Sequence, residues 1–340
     1  MSTLIYSRKT NRNTTIGTTV VVTKESVMSS QFEPNSIKVA LLAGGKSGER
    51  EVSLSSGKSV EQALKSVGFM VEMLDPANKE DLRTLVTEEF DVAFLALHGK
   101  GGEDGTIQGF LETLEIPYTG SGVWASATAV NKIISKHFYN EAGIPTPQSM
   151  KLESSEIASE SIIEAVVLPC VVKAATEGSA LGVYICNTVE EVTQAVQKVF
   201  TVDNSAFVES FVSGNEFTVG VLGQKNPTAL PVIKIIPVNE FYDYESKYTE
   251  GGSQHICPAP LSEEETRQAK ELALRAHKVL GCEGVSRTDV IQDKQGKFWV
   301  LETNTLPGMT ATSLLPDAAR VQGITFEELC KQMVFEALEK

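Results

Sequence analysis

A short apolar run, Lys38-Val-Ala-Leu-Leu-Ala43, ends at two glycines, Gly44 and Gly45. A run that is apolar throughout and closes on glycine reads as a buried strand of a parallel sheet. A helical pattern over Val52–Val67 follows, then a strand near Met70–Leu74, a helix near Lys79–Glu88 and a second strong strand at Val92–Leu97. Strands alternating with helices predict a parallel sheet with right-handed crossovers. This unit runs to about Tyr118. A helical segment from Val123 to Ala142 stops at Gly143, ahead of Pro145 and Pro147, as helices commonly stop.

After that the texture changes. Val166–Lys173, Gly182–Cys186, Ala206–Phe211 and Glu216–Leu222 read as short β-runs, with helices at Val189–Phe200 and Glu263–Leu280. A final strand pair, Gly284–Gln292 and Lys297–Glu302, flanks a turn at Asp293–Gly296. The expected fold is therefore α/β plus α+β: an N-terminal parallel-sheet domain over residues 37–132, then two mixed lobes over 133–214 and 215–340. Residues 1–36 read as a disordered leader, with Met28 as an alternative translation start. The leader's first 24 residues lack Asp and Glu, as transit peptides do, but its apolar part, Val20 to Val22, is too short for a signal sequence.

Charge narrows the function. With 44 acidic against 30 basic side chains, the net charge of −14 argues against nucleic acid or an anionic membrane as the main partner. It leaves room for a few local cations around a phosphate. No stretch approaches the roughly 18–20 apolar residues of a membrane span. The five cysteines form no C-x-x-C pair and the four histidines show no zinc-hydrolase spacing, so neither pattern supports a metal site.

Five stretches carry chemistry. Asp289 and Glu302 fall on adjacent strands, and Asn304 shares a face with Glu302 by period-two alternation. Two carboxylates and an amide oxygen suit Mg²⁺, which keeps waters and borrows phosphate oxygens. Arg287 shares the face of Asp289 and is placed to meet developing negative charge. On residues alone, a charged surface hairpin accounts for them equally. Glu177-Gly-Ser-Ala-Leu-Gly182, with Lys173 ahead of it, is a loop whose N–H groups could wrap phosphate, although a plain turn is also consistent. His98-Gly-Lys-Gly-Gly-Glu-Asp-Gly105 follows the strongest strand, at the sheet edge where ligands bind. Gly44-Gly-Lys-Ser-Gly-Glu-Arg-Glu51 lacks the G-x-G-x-x-G spacing of a dinucleotide site. Phe241–Tyr248, ahead of Gly251-Gly252, reads as a loop that folds over something.

Together these motifs make the chain resemble bacterial D-alanine–D-alanine ligases over about residues 37–337. The matching motifs are Leu97–Gly109, Arg287-Thr-Asp289 with Leu301–Thr310, and Phe241–Tyr248 as the family's ω-loop. The resemblance implies a pre-ATP-grasp domain followed by a two-lobed ATP-grasp domain. It implies that Glu51 holds the ammonium of the first D-alanine and joins Ser179 and Tyr248 in a hydrogen-bonded triad. Lys132, Lys173 and Lys247 would meet ATP phosphates, with Glu177, Gly178 and Ser179 in the lid over them. Glu209 would lie at the hinge beside adenine, and Glu216 on the ribose. Asp289, Glu302 and Asn304 would hold Mg²⁺ or Mn²⁺, two ions per site. Arg287 and the Gly308 N–H would form the oxyanion site. His98, Ser313 and Leu314 would bind substrate. The lid departs from the usual family wording, and Thr303 and Leu306 replace the commoner Ala and Ser.

The implied activity joins two D-alanines through an acylphosphate, releasing ADP and phosphate, for peptidoglycan precursors in the cytoplasm. A homodimer is expected. Two alternatives stay open: a D-alanine–D-lactate or D-alanine–D-serine ligase, and a non-catalytic ATP-binding protein.

Overall fold

The computed structural model describes residues 33–154, 162, 167–179, 181–237, 253–310 and 312–340. Most of the leader, including Met28, and the ω-loop with Lys247 and Tyr248 lie outside the described residues. A 3-10 turn at Pro34–Ser36 opens the described fold, a few residues earlier than expected.

β1 (Lys38–Leu42), α1 (Arg50–Ser66), β2 (Met70–Leu74), α2 (Lys79–Thr87) and β3 (Val92–Leu95) follow the expected alternation. The three strands form a parallel sheet in the order β2-β1-β3. Leu42 pairs with Leu74 on one side and Leu95 on the other, so β1 and β3 end together. The loops that follow them therefore emerge side by side at the carboxyl edge, where open sheets bind ligands. Asn78 caps α2 by accepting from the Glu80 N–H. A helix missing from the sequence reading, α3 (Thr106–Thr113), closes the second loop; it is short and contains Gly109.

The single helix expected over Val123–Ala142 is two, α4 (Val123–Val130) and α5 (Lys132–Glu141). Asn131, at ψ 100°, breaks the run, and its side chain accepts from the N–H groups of Ile133 and Ile134. An asparagine satisfies the start of a new helix better than it continues an old one. The break makes Lys132 the first residue of α5.

A second sheet holds β4 (Ser149–Leu152), β5 (Cys170–Ala174), β6 (Val183–Cys186) and, after α6 (Val189–Val199), β7 (Ala206–Ser210). It is antiparallel in the order β4-β7-β5-β6. Val192, Ala195, Val196 and Val199 of α6 bury themselves against it. The third sheet comprises β8 (Gly214–Leu222), β9 (Thr228–Ala229), β10 (Ile233–Pro237), β11 (Ser253–Ile256) and, after α7 (Glu263–Val279), β12 (Val285–Asp293) and β13 (Phe298–Asn304). Its main order is β11-β10-β8-β12-β13, with β9 on β8. Tyr139 and Ile144 pack with α7 and with Phe217 and Phe298 of this sheet. The chain ends in α8 (Leu314–Val321) and α9 (Phe326–Leu338), and α9 packs back on α1. Only three residues separate β7 from β8, so the connection between the second and third sheets is tight.

Candidate active site

The loops after β1 and β3 are bonded to each other. Ser47 donates its hydroxyl to the His98 carbonyl at 2.7 Å and accepts from the Glu49 N–H at 3.2 Å. Glu49 is thereby held over the second loop. A side chain at Gly99, which has φ +65°, would come within 2.9 Å of the Glu49 carboxylate. His98 is buried, with Nε2 3.3 Å from the Ser56 hydroxyl and Nδ1 3.8 Å from the Glu103 carboxylate. Ser56 also accepts from the Met309 N–H at 3.3 Å, which ties α1 and His98 to the loop after β13.

Ser179 donates to Glu49, not to Glu51. This corrects the expectation from resemblance. Helix α1 starts at Arg50, so Glu51 lies in its first turn and is exposed, while Glu49 is the last loop residue and faces the cleft. Gly178 lets the two loops approach: a Cβ there would stand 3.1 Å from the Glu49 carboxylate. The lid is anchored at its other side by Thr176, whose N–H and hydroxyl donate to Asp203 at 2.8 and 2.9 Å. Lys132 Nζ donates to the Glu177 carbonyl at 2.8 Å and pairs with Glu302 at 3.1 Å, so one cation joins lid and hairpin. Burial, with Asp203 and Glu49 nearby, pushes the Glu177 carboxyl up despite Lys100 and Lys132.

On the hairpin, Asp289 pairs across with Glu302 and Arg287 with Asn304, so all four side chains share one face. Arg287 grips Asp289 through both ends of its fork, Nε to Oδ1 at 3.0 Å and Nη2 to Oδ2 at 2.9 Å. Thr218 of β8 donates to Asp289 Oδ1 at 2.5 Å, and the Asn304 amide reaches Oδ2 at 3.5 Å. Each acidic group here faces a cation: Arg287 at Asp289, Lys132 at Glu302. Among the described residues no three His, Cys, Asp or Glu side chains gather as a metal cluster. The hairpin instead offers two carboxylates and an amide, hard oxygen donors that fit Mg²⁺ once phosphate oxygens complete its shell. Thr303 is no loose end, since its hydroxyl accepts from Tyr139 at 2.8 Å and meets Thr288 at 3.0 Å.

Lys173, at the end of β5, pairs with Glu209 of β7 at 2.5 Å. Burial lowers the Lys173 pKa, but Glu209, then Glu302 and Glu216, outweigh it and hold the ammonium above the ordinary lysine value. Glu216 lies opposite Ile291, one alternation from the Thr218–Asp289 pair, and so on the same face. Lys136 also pairs with Glu209, at 2.8 Å. Lys136 shares a face of α5 with Lys132, four residues earlier, but nothing in the sequence pairs it with Glu209.

At the N-terminus of α8, the Ser313 hydroxyl turns away from the helix and accepts from the Thr310 N–H at 3.0 Å. It makes no capping bond, which leaves the first α8 N–H groups directed outward. Gly308 lies so close that a Cβ there would be 2.8 Å from Ser313 Oγ. Leu314 is buried.

The chain carries the signature of the D-ala D-ala ligase N-terminus over residues 73–121 and of the D-ala D-ala ligase C-terminus over residues 138–335. It is 44% identical over 309 residues to the D-alanine–D-alanine ligase of Carboxydothermus hydrogenoformans, covering 89% of this chain and 99% of that one. The enzyme of that name from Syntrophobacter fumaroxidans is 47% identical over 306 residues, covering 89% and 98%. The chain belongs to the D-alanine–D-alanine ligase family. A crystal structure of the Bacillus anthracis D-alanine–D-alanine ligase superposes with a TM-score of 0.80 at 33% identity, covering 89% of this chain and 98% of that one. The same ligase complexed with ATP gives a TM-score of 0.78 at 33% identity, covering 89% and 97%. Membership accounts for the mixed architecture, a parallel sheet followed by two antiparallel ones. The motifs from the ligase family converge here: both glycine loops, the lid and the hairpin face one cleft. Lys247 and Tyr248 are the members of the expected set that lie outside the described residues.

Proposed function

We propose that this ligase joins two D-alanines into D-alanyl-D-alanine at the expense of ATP. The observation that carries the reading is the convergence of the Arg287–Asp289 fork and the Lys132–Glu302 pair beneath a lid already bonded to Glu49. In such an array phosphate oxygens can take the cations and a divalent cation the carboxylates of each pair, beneath the lid.

A free carboxylate is a poor acyl donor, because it would have to expel oxide. The first D-alanine, its ammonium near Glu49, attacks the γ-phosphorus through a carboxylate oxygen. ADP leaves and an acylphosphate remains. Lys132, Lys173 and Arg287 hold the phosphate oxygens, so catalysis is largely positioning and charge. Asp289, Glu302 and Asn304 are the residues that would hold Mg²⁺ or Mn²⁺, two ions per site, whose chemistry when bound is to neutralise phosphate charge. The second D-alanine docks its carboxylate at the start of α8, on the Ser313 hydroxyl and the Leu314 N–H. Its amine, after losing a proton, attacks the acyl carbon. The resulting oxyanion faces Arg287 and the Gly308 N–H, and phosphate departs. Glu209 stands at the start of the hinge beside adenine, and Glu216 meets the ribose. His98, braced by Ser56 and Glu103, lines the first D-alanine site. The closed lid keeps water from the acylphosphate.

The setting we propose is peptidoglycan precursor synthesis in the cytoplasm, by a homodimer. Residues 37–132, 133–214 and 215–340 form its substrate domain and two nucleotide-binding lobes. Phosphate release with D-alanine, L-alanine and D-lactate in parallel tests the reading. Release with D-alanine alone, giving dipeptide, is expected. Preferential depsipeptide formation in the presence of D-lactate would instead establish a D-alanine–D-lactate ligase. ATP binding without D-alanine-dependent release would establish a non-catalytic protein.

A further inference from the structure

We infer that Lys136 is a positioning residue for nucleotide binding, which acts by holding one oxygen of Glu209 so that Lys173 stays directed at the cleft. The inference rests on the reading above, in which Lys173 and Glu209 meet ATP.

Three observations support it. First, Lys136 cannot touch a ligand. It is 1% exposed, whereas Lys173, on the other side of the shared carboxylate, keeps 15% of its side chain accessible. Second, the carboxylate is divided between them: Oε1 lies 2.5 Å from Lys173 Nζ and Oε2 lies 2.8 Å from Lys136 Nζ. Third, Lys136 is fixed from behind. Its ammonium donates to Thr146 Oγ1 at 2.6 Å, and Thr146 donates to the Val300 carbonyl of β13 at 2.8 Å. The line β13–Thr146–Lys136–Glu209–Lys173 therefore connects the strand that carries Glu302 to the lysine at the lid.

The sharing sets the direction of Lys173. Two ammonium groups divide the Glu209 carboxylate, and the further attraction on Lys173 comes from Glu302 and Glu216 on the cleft side. A charge in so dry a place needs a partner. The side of the cluster that opens is that of Lys173, and a nucleotide phosphate meets it there. Burial favours neutral Lys136, with Glu209 opposing, and Glu209 is itself held below the ordinary carboxylate value by Lys173 and Lys136 against the upward push of burial. Without Lys136, both oxygens of Glu209 are available to Lys173. The pair then closes on itself as a neutral unit, and phosphate must compete with Glu209 for the ammonium.

The experiment measures KM for ATP and for D-alanine separately in Lys136→Met, Glu209→Gln, the double variant and Lys173→Met. Lys136→Met is expected to raise KM for ATP by about tenfold, the size of one hydrogen bond to a charged group, and to leave KM for D-alanine within about twofold. In the double variant the carboxylate that would recapture Lys173 is gone, so adding Lys136→Met to Glu209→Gln should cost little more. Equal changes in both KM values would show a merely structural lysine and overturn the inference. So would multiplicative effects of the two substitutions. If Lys136→Met does not fold, Thr146→Val keeps the lysine and removes its anchor; an increase of about threefold in KM for ATP is expected, and no change overturns the inference. If Lys173→Met itself leaves KM for ATP unchanged, the nucleotide site has been misassigned and the inference falls with it. An effect of Lys173→Met without one of Lys136→Met refutes the positioning role alone.

Discussion

Ser179 donates its hydroxyl to Glu49 from a left-handed backbone conformation, at φ +53°. Non-glycine residues rarely adopt that conformation, at a cost on the order of 1–3 kcal/mol, and the surrounding contacts must hold it. The bond to Glu49, the Thr176–Asp203 bonds and the Lys132–Glu177 bond do so. The lid is thus joined to the loop after β1 by a carboxylate that also faces the site proposed for the first D-alanine. Glu49→Gln removes the charge and keeps the shape. It should lower kcat/KM by roughly 10- to 100-fold, the equivalent of one hydrogen bond to a charged group. Glu51→Gln, on the exposed turn of α1, should stay within about twofold, as a surface change does. Steady-state phosphate release decides, and a larger loss for Glu51→Gln would reverse the assignment.

Arg287 is bound to Asp289 by two parallel bonds, a geometry only a guanidinium supplies. Its substitution by alanine should lower kcat by at least ~10²-fold, the scale for losing one oxyanion donor. Lysine should not restore the rate, because an ammonium cannot span both oxygens. Single-turnover measurements separate this loss from a binding effect; near-wild-type turnover in Arg287→Ala would remove the residue from the chemistry.

Glu302 pairs with Lys132, and its cross-strand partner Asp289 with Arg287. If these carboxylates hold the divalent cation, Glu302→Gln should raise the Mg²⁺ concentration for half-maximal activity at least about tenfold, since even outer partners of a metal carry that much. The measurement is a Mg²⁺ titration at fixed ATP. An unchanged midpoint would place the cation elsewhere.

The strands of the first sheet were legible almost to the residue, because β1 beyond Lys38 and all of β3 are apolar and β2, which carries Glu72, lies between the helix stop at Gly68 and Asp75-Pro76. Helix α3 was not legible, being eight residues long with a glycine inside. β10 and β11 were missed for another reason: Ile233–Pro237 and Ser253–Ile256 lack clean alternation, and β10 owes its pairing to β8 and β11 to β10. The shared face of the hairpin was legible, since period-two alternation and pairing place Arg287, Asp289, Glu302 and Asn304 together; its use as a site was not, because a charged surface hairpin has the same pattern. Glu49 was not. Two glutamates flank Arg50, and the choice depends on where α1 starts, a boundary that composition does not fix. Lys136 went unnoticed because its partner, Glu209, lies 73 positions away on β7.

His277 of α7 is buried, with Nδ1 2.8 Å from the Ser286 hydroxyl. Burial pulls its pKa down from 6.5 to about 4, and Glu283 opposes this only weakly. The sign follows from proton uptake. As pH falls below 6.5 the unfolded chain protonates this imidazole, while the folded chain keeps it neutral until about 4. Stability is therefore fully present above 6.5 and declines as the pH falls toward the folded value. Each pH unit in that window costs about 1.4 kcal/mol, so the loss from this residue alone at pH 5 is roughly 2 kcal/mol. Carboxylates titrate nearby in pH, so the comparison must be with a variant. His277→Gln cannot take up the proton. It should be less stable than wild type at pH 7, where packing and the Ser286 bond are lost, but the gap should narrow by roughly 2 kcal/mol at pH 5. Urea unfolding at the two pH values measures it; a gap that stays constant would mean that His277 titrates alike in both states.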